Sequence, residues 1–226
     1  MSQLAFDLAY RAASGREDFL IAPSNADALA WIDRWPDWPS GRMAIQGPPD
    51  CGKSHLIAVW REVSAARLLQ PQDLSVEAVP ALVADATGLA LDDADAVAGL
   101  PEREAALFHL INLAAESGLS LLFAAREAPN RWPLALPDLR SRLAATGCVA
   151  IERPDDDLMA GLLVKLFLDR QTPLDPEAVT YLVARMERSF SAAHRVVVAL
   201  DRVALAERRR VTVPVARRVL QEQGML

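Results

Sequence analysis

Along the first two thirds of the chain, short apolar runs alternate with stretches whose apolar residues recur every three to four positions. "MAIQ" (43–46) predicts a short buried strand, and residues 53–63 predict the helix after it. "AARLL" (65–69) predicts a second strand, "SVEAVPALVA" (75–84) a short helix, and "GLALDDAD" (88–95) a strand that ends in acids. In "EREAALFHLINLAAESG", Leu107, Leu110, Ile111 and Ala114 fall at helical spacing, with Gly118 at the end. "LSLLFAA" (119–125) and "GCVAIE" (147–152) predict two more strands. Strand–helix alternation of this kind predicts a parallel sheet with helices on both faces. After Pro154 the pattern becomes helical only, in "PDDDLMAGLLVKLFLDR", "TPLDPEAVTYLVARME", "SFSAAHRVVVALDRVALAERR" and "TVPVARRVLQEQ". The expected architecture is an α/β domain over residues 16–153 and a small all-α domain over 154–226, with residues 1–15 as a separate N-terminal segment.

Composition narrows the function classes. Of the 226 residues, 52% are hydrophobic, enough to bury a substantial core, and the net charge is −6. With a pI of about 5.1, the chain is poorly suited to non-specific nucleic-acid binding, which needs Lys and Arg to neutralise phosphates. Its two cysteines, Cys51 and Cys148, have no paired spacing, which fits a reducing compartment. "MSQLAFDLAY" lacks the basic start and apolar core of a signal peptide. No apolar run approaches the ~18 residues that suggest a membrane span. A cytoplasmic protein with no membrane partner is expected.

The chemistry concentrates in "GPPDCGKS", Gly47, Pro48, Pro49, Asp50, Cys51, Gly52, Lys53 and Ser54, followed by His55. A strand, this G-x-x-x-x-G-K-S spacing and a helix together predict a phosphate loop. Gly47 and Gly52 permit close backbone approach, amide N–H groups and the helix N-terminus hold phosphates, Lys53 reaches the outer phosphates, and Ser54 ligates Mg²⁺. The loop predicts binding of ADP or ATP but does not by itself predict turnover. "LALDD" adds two acids at the end of an apolar strand: Asp92 to hold Mg²⁺ through water, and Asp93 to orient an attacking water.

With these residues in place, the chain resembles the AAA+ ATPases, and among them the DnaA and Hda group. The phosphate loop, "LALDD", the stretch "LALPDLRSRLAATGCVAIERPDDD" and the terminal helices follow that group's order. The resemblance implies an AAA+ parallel sheet flanked by helices, followed by a helical lid, without a DNA-binding helix-turn-helix and without direct sequence-specific DNA binding. It also implies that "QLAFDL" docks on the replicase sliding clamp through Gln3, Leu4, Phe6 and Leu8, a peptide-in-groove mode. In "LRSRL" it assigns Arg142 as an arginine finger acting in trans on DnaA-bound ATP, with Arg140 a neighbouring candidate. A salt bridge from Arg142 to Asp138 or Glu152 is the structural alternative.

Two departures from the group's pattern bear on catalysis. Arg126 stands near the position of a polar sensor after "LSLLFAA", and Ser191 stands where a second, arginine sensor is usual, with Arg188 and Arg195 about one turn away. Both imply weak or absent turnover by the chain itself. The implied role is negative regulation of replication initiation, with homo-oligomerisation left open. A helicase-loader-like ATPase would need a basic surface for single-stranded DNA. A small-molecule P-loop kinase would need a substrate-binding insertion.

Overall fold

A strand that is apolar on both sides must be covered on both sides, and this requirement organises the α/β part of the molecule. The structure, a computed structural model, describes residue 16, residues 19–222 and residue 224. Gln3, Leu4, Phe6 and Leu8 therefore lie outside the described residues. Five strands, β1 (Arg42–Gln46), β2 (Arg67–Leu69), β3 (Gly88–Leu91), β4 (Ser120–Ala125) and β5 (Gly147–Ala150), form one parallel sheet in the order β2-β3-β4-β1-β5. All five follow the expected apolar runs.

Alternation along the strands sends side chains into two separate cores. Met43, Ile45, Leu122 and Ala124 pack with α1 (Ala26–Asp33) and α2 (Lys53–Ser64), through Leu29, Ile32, Leu56 and Trp60. Ala44, Leu121 and Phe123 pack with α3 (Val79–Val83), α4 (Pro101–Glu116) and α5 (Pro137–Ala144) on the other face. The α3 helix is shorter than the pattern over 75–84 suggests. Pro80 sits in its first turn, where a missing N–H costs least, and residues 75–78 form a turn closed by Ala78 N–H donating to the Ser75 carbonyl at 3.1 Å.

Beyond β5 the chain is helical: α6 (Asp156–Asp169), α7 (Pro176–Val183), α8 (Phe190–Glu207) and α9 (Val213–Glu222). Asp155 caps α6 by accepting from Leu158 N–H at 2.7 Å, and Ser189 caps α8 by accepting from Ala192 N–H at 3.2 Å. These helices enclose a core of their own around Leu163, Phe167, Leu182, Val197 and Leu200. A parallel bridge, Leu174 to Val211, joins the α6–α7 loop to the α8–α9 loop.

Among the described residues the most deeply buried charge is a carboxylate. Glu104 of α4 is 1% exposed, and its carboxylate accepts from the N–H groups of Gly99 (2.9 Å), Ala135 (2.9 Å) and Leu136 (2.8 Å). Those last two donors lie immediately before α5, so the carboxylate fixes where α5 begins. Desolvation acts to raise its pKa. The backbone N–H groups of Leu136, Gly99 and Ala135, helped by Arg140, outweigh it and hold the pKa below the ordinary value. A depressed pKa contributes stability above the unfolded-state value of about 4.3, and that stability is lost as pH falls through the folded value. Glu104→Gln should cost about 1–3 kcal/mol at pH 7. Thermal melts should show the gap from wild type closing as the pH drops below about 4.

Candidate nucleotide-binding site

The phosphate loop leaves the C-terminal end of β1, where Gly47 N–H donates to the Ala125 carbonyl of β4 at 3.1 Å. Space here is minimal. A Cβ on residue 47 would lie 2.3 Å from the Ile151 carbonyl oxygen and 2.9 Å from Cys51 Sγ. Asp50 and Gly52 take positive φ (56° and 105°), which curls the loop before α2 starts at Lys53. Lys53 is buried at 8% exposure, and its ammonium donates to the carbonyls of Gly47 (2.8 Å) and Pro48 (2.7 Å). Cys51 is buried in the core below the loop, and that burial pushes its thiol pKa up, so it takes part through its backbone. His55 packs its ring edge-on against Phe19 at 5.1 Å, on the side of α2 that meets the N-terminal part of the chain.

Of the two acids of "LALDD", Asp92 meets the end of this loop. Ser54 Oγ donates to Asp92 Oδ2 at 2.8 Å, which brings together the two residues expected to hold Mg²⁺. Asp92 Oδ1 accepts from the N–H of Asp93, which is itself exposed in a left-handed turn (φ 47°). Among the described residues no group of three or more His, Cys, Asp or Glu is arranged to hold a metal. A hydroxyl and one carboxylate suit Mg²⁺ that takes its remaining ligands from phosphate and water. Arg126 follows β4 directly, beside the start of the loop, and its N–H donates to Asp95 Oδ2 at 3.3 Å.

The two arginines of "LRSRL" differ in their surroundings. Arg140 Nη2 donates to the Leu134 carbonyl at 2.6 Å and so ties α5 to the segment before it. Arg142 is exposed in the last turn of α5, and neither Asp138 nor Glu152 forms an ion pair with it among the described residues. Position matters as well. β5, which follows α5, begins opposite Met43 at the far end of β1 from the loop. The strand rises about 13 Å between its ends at ~3.3 Å per residue.

Comparison with known proteins identifies the parts. Residues 162–220 match the family described as "Hda, lid domain". Domain III of the replication initiation protein DnaA from Thermotoga maritima is similar in structure, with a TM-score of 0.77 and 16% identity over 92% of this chain and 96% of that one. AMPPCP-bound DnaA from Aquifex aeolicus gives a TM-score of 0.67 at 17% identity, over 79% of this chain and 62% of that one. Residues 162–220 thus form an Hda-type lid, and the chain as a whole has the fold of DnaA domain III. An uncharacterized protein of Haemophilus influenzae is 30% identical over 131 residues, a match spanning 58% of this chain and 57% of that protein.

The Hda-type lid closes on the DnaA-like core through the first turn of α8. Phe190 N–H donates to the Asp50 carbonyl at 3.3 Å, Ser191 Oγ donates to Asp50 Oδ2 at 3.0 Å, and the Phe190 ring lies against Gly52. Ser191 thus faces the loop. Arg188 is paired with Asp156 at 2.8 Å, while Arg195 donates to Ser191 Oγ at 3.3 Å and lies 3.8 Å from Glu187. Sequence reasoning missed this lid contact, α1, the buried Glu104 and the buried Arg42. For Glu104 a signal existed, because it shares a helical face with Leu107, Ile111 and Ala114 and a charge on a buried stripe needs partners.

Among the described residues no helix is long and apolar enough to cross a membrane. The tight fit at residue 47 carries the prediction for this site. Gly47→Ala must displace the Ile151 backbone, costing about 1–3 kcal/mol, and should abolish nucleotide binding in a calorimetric titration. Unchanged affinity would mean that the loop tolerates displacement and that Gly47 does not set its shape.

Proposed function

We propose that this chain is a regulatory AAA+ protein that promotes hydrolysis of ATP bound on DnaA and thereby switches off replication initiation. It binds ADP or ATP through Gly47, Pro48, Pro49, Asp50, Cys51, Gly52, Lys53, Ser54 and His55, the main-chain amides and Lys53 serving the phosphates. Ser54 and Asp92 hold Mg²⁺, whose contribution is to bridge and neutralise phosphate oxygens. Asp93 is placed to orient a water. The chain docks on the DNA-loaded sliding clamp through Gln3, Leu4, Phe6 and Leu8, and it works in the cytoplasm.

The observation that carries this reading is the contrast between the two arginines of α5. Arg140 is spent on the Leu134 carbonyl, whereas Arg142 is exposed, without an ion pair among the described residues, and set apart from the chain's own loop by about the length of β1. A forked, permanently charged group in that position suits a phosphoryl group presented by another molecule. The AMPPCP-bound DnaA structure and the Hda-type lid support the same partner class. The chain's own turnover is weak or absent, since Ser191, with no charge, faces the loop where an arginine would reach phosphate.

The test is hydrolysis of DnaA-bound ATP with clamp loaded on DNA. Arg142→Ala should leave folding, nucleotide binding and clamp binding intact while suppressing stimulated hydrolysis, by up to the 10³- to 10⁵-fold typical of trans fingers, order of magnitude only. Arg142→Lys should rescue poorly, because the ammonium lacks the fork. Arg140→Ala should act through α5 placement and do less. Equal activity for Arg142→Ala and wild type would refute the mechanism. Clamp docking is checked by pull-down: removing residues 1–8 should abolish capture by the clamp with the melting temperature unchanged. Capture that survives this truncation would place the docking element elsewhere.

A further inference from the structure

Arg42 is a guanidinium in the wrong place for an ordinary residue. It opens β1 and shares the face of Ala44, so its side chain lies under α5, whose Leu139 and Leu143 belong to the same core. It is 6% exposed, and its Nε is buried with no hydrogen-bond partner. No carboxylate or carbonyl receives its side chain among the described residues, although a buried charge needs pairing to offset its lost hydration.

The charge above this position has the same sign. Met43 pairs with Gly147, and the preceding Thr146 donates its hydroxyl to the Arg142 carbonyl at 3.4 Å, which sets the last turn of α5 over the start of β1. Burial first, and then the Arg142 charge, lower the Arg42 pKa from its ordinary value. Guanidinium remains charged even so, because its ordinary pKa is so high. Arg42 at the start of β1 and Arg142 in the turn set over it, neither with an acid paired to it among the described residues, form an incomplete arrangement, and each guanidinium supplies planar donors suited to an oxyanion.

We infer that Arg42 and Arg142 together form a two-guanidinium site for one phosphate-class oxyanion brought by a partner. Arg142 makes the exposed approach. Arg42 adds fixed charge from below, with no side-chain freedom left to lose on binding. That the oxyanion belongs to a nucleotide on the partner rests on the trans reading of Arg142. The site itself rests only on the buried, unpartnered Arg42 beside it.

The experiment uses the full chain carrying Lys53→Ala, so that the phosphate loop does not contribute, and inorganic pyrophosphate as probe. Pyrophosphate should raise the melting temperature by several degrees, and Arg42→Met, Arg42→Gln and Arg142→Ala should each abolish the shift. Without pyrophosphate, Arg42→Met and Arg42→Gln should melt no earlier than their parent, since each removes an unpaired buried charge. The proposal is overturned if the shift survives both Arg42 substitutions, or if both melt several degrees early without the anion, which would make Arg42 a structural group. In an otherwise wild-type chain, Arg42→Met should slow stimulated hydrolysis of DnaA-bound ATP about tenfold, as expected for one charge-assisted contact. A lost pyrophosphate shift with stimulation unaltered in both Arg42→Met and Arg142→Ala would uphold the site and refute the trans reading. A shift that persists in Arg42→Met while Arg142→Ala alone kills stimulation would overturn the site and leave that reading standing.

Discussion

The carbonyl oxygen of Ile151 lies 2.3 Å from where a side chain at residue 47 would begin, and much of the molecule depends on that close approach. It locks the end of β1 against the end of β5, which fixes the loop between Gly47 and Gly52. The loop in turn aims Lys53 at its own carbonyls and sets Ser54 against Asp92. Because β5 runs straight on into α6, the same junction ties the loop to the lid. The lid then returns through Phe190 and Ser191 to touch Asp50. The candidate site is thus a closed circuit of backbone and side-chain contacts.

Sheet direction separates the functional charges. In a parallel sheet all strands end at one edge, and Lys53, Asp92, Asp93 and Arg126 gather there. The α5 helix runs back toward the other edge, so Arg142 and the buried Arg42 sit where β1 begins. Glu104 determines this placement from a distance, because its carboxylate holds the residues from which α5 starts. A chain that hydrolysed its own nucleotide efficiently would be expected to direct a cation from the lid onto the loop. Here the lid offers Ser191, and the flanking Arg188 and Arg195 are paired with Asp156 and Glu187.

Much of this was legible in the sequence because the signals were local. The five strands are short apolar runs, the loop is a fixed spacing of Gly and Lys, and the lid helices have apolar stripes with Asp155 and Ser189 at their starts. The meeting of Ser54 with Asp92 follows from topology, once β3 and β1 both end at the same edge. Contacts between distant segments were not legible. Nothing near residue 50 announces that Asp50 accepts from Ser191, 141 positions later. Arg42 looks like an ordinary polar residue before an apolar run, and only the register of β1 with β5, with Thr146 bonded to the Arg142 carbonyl, brings the start of β1 and the end of α5 together. Helix α1 was missed although Ala28, Leu29 and Ile32 fall at helical spacing, because its 8 residues give too short a run to stand out.

The central claim is that the ATP cleaved is held by the partner. Single-turnover hydrolysis with labelled ATP loaded on DnaA alone, and unlabelled nucleotide on this chain, measures that directly in the presence of clamp on DNA. The account predicts release of labelled phosphate only when this chain is present, with no release in the reverse labelling. Labelled phosphate appearing only when the label is carried by this chain would contradict it.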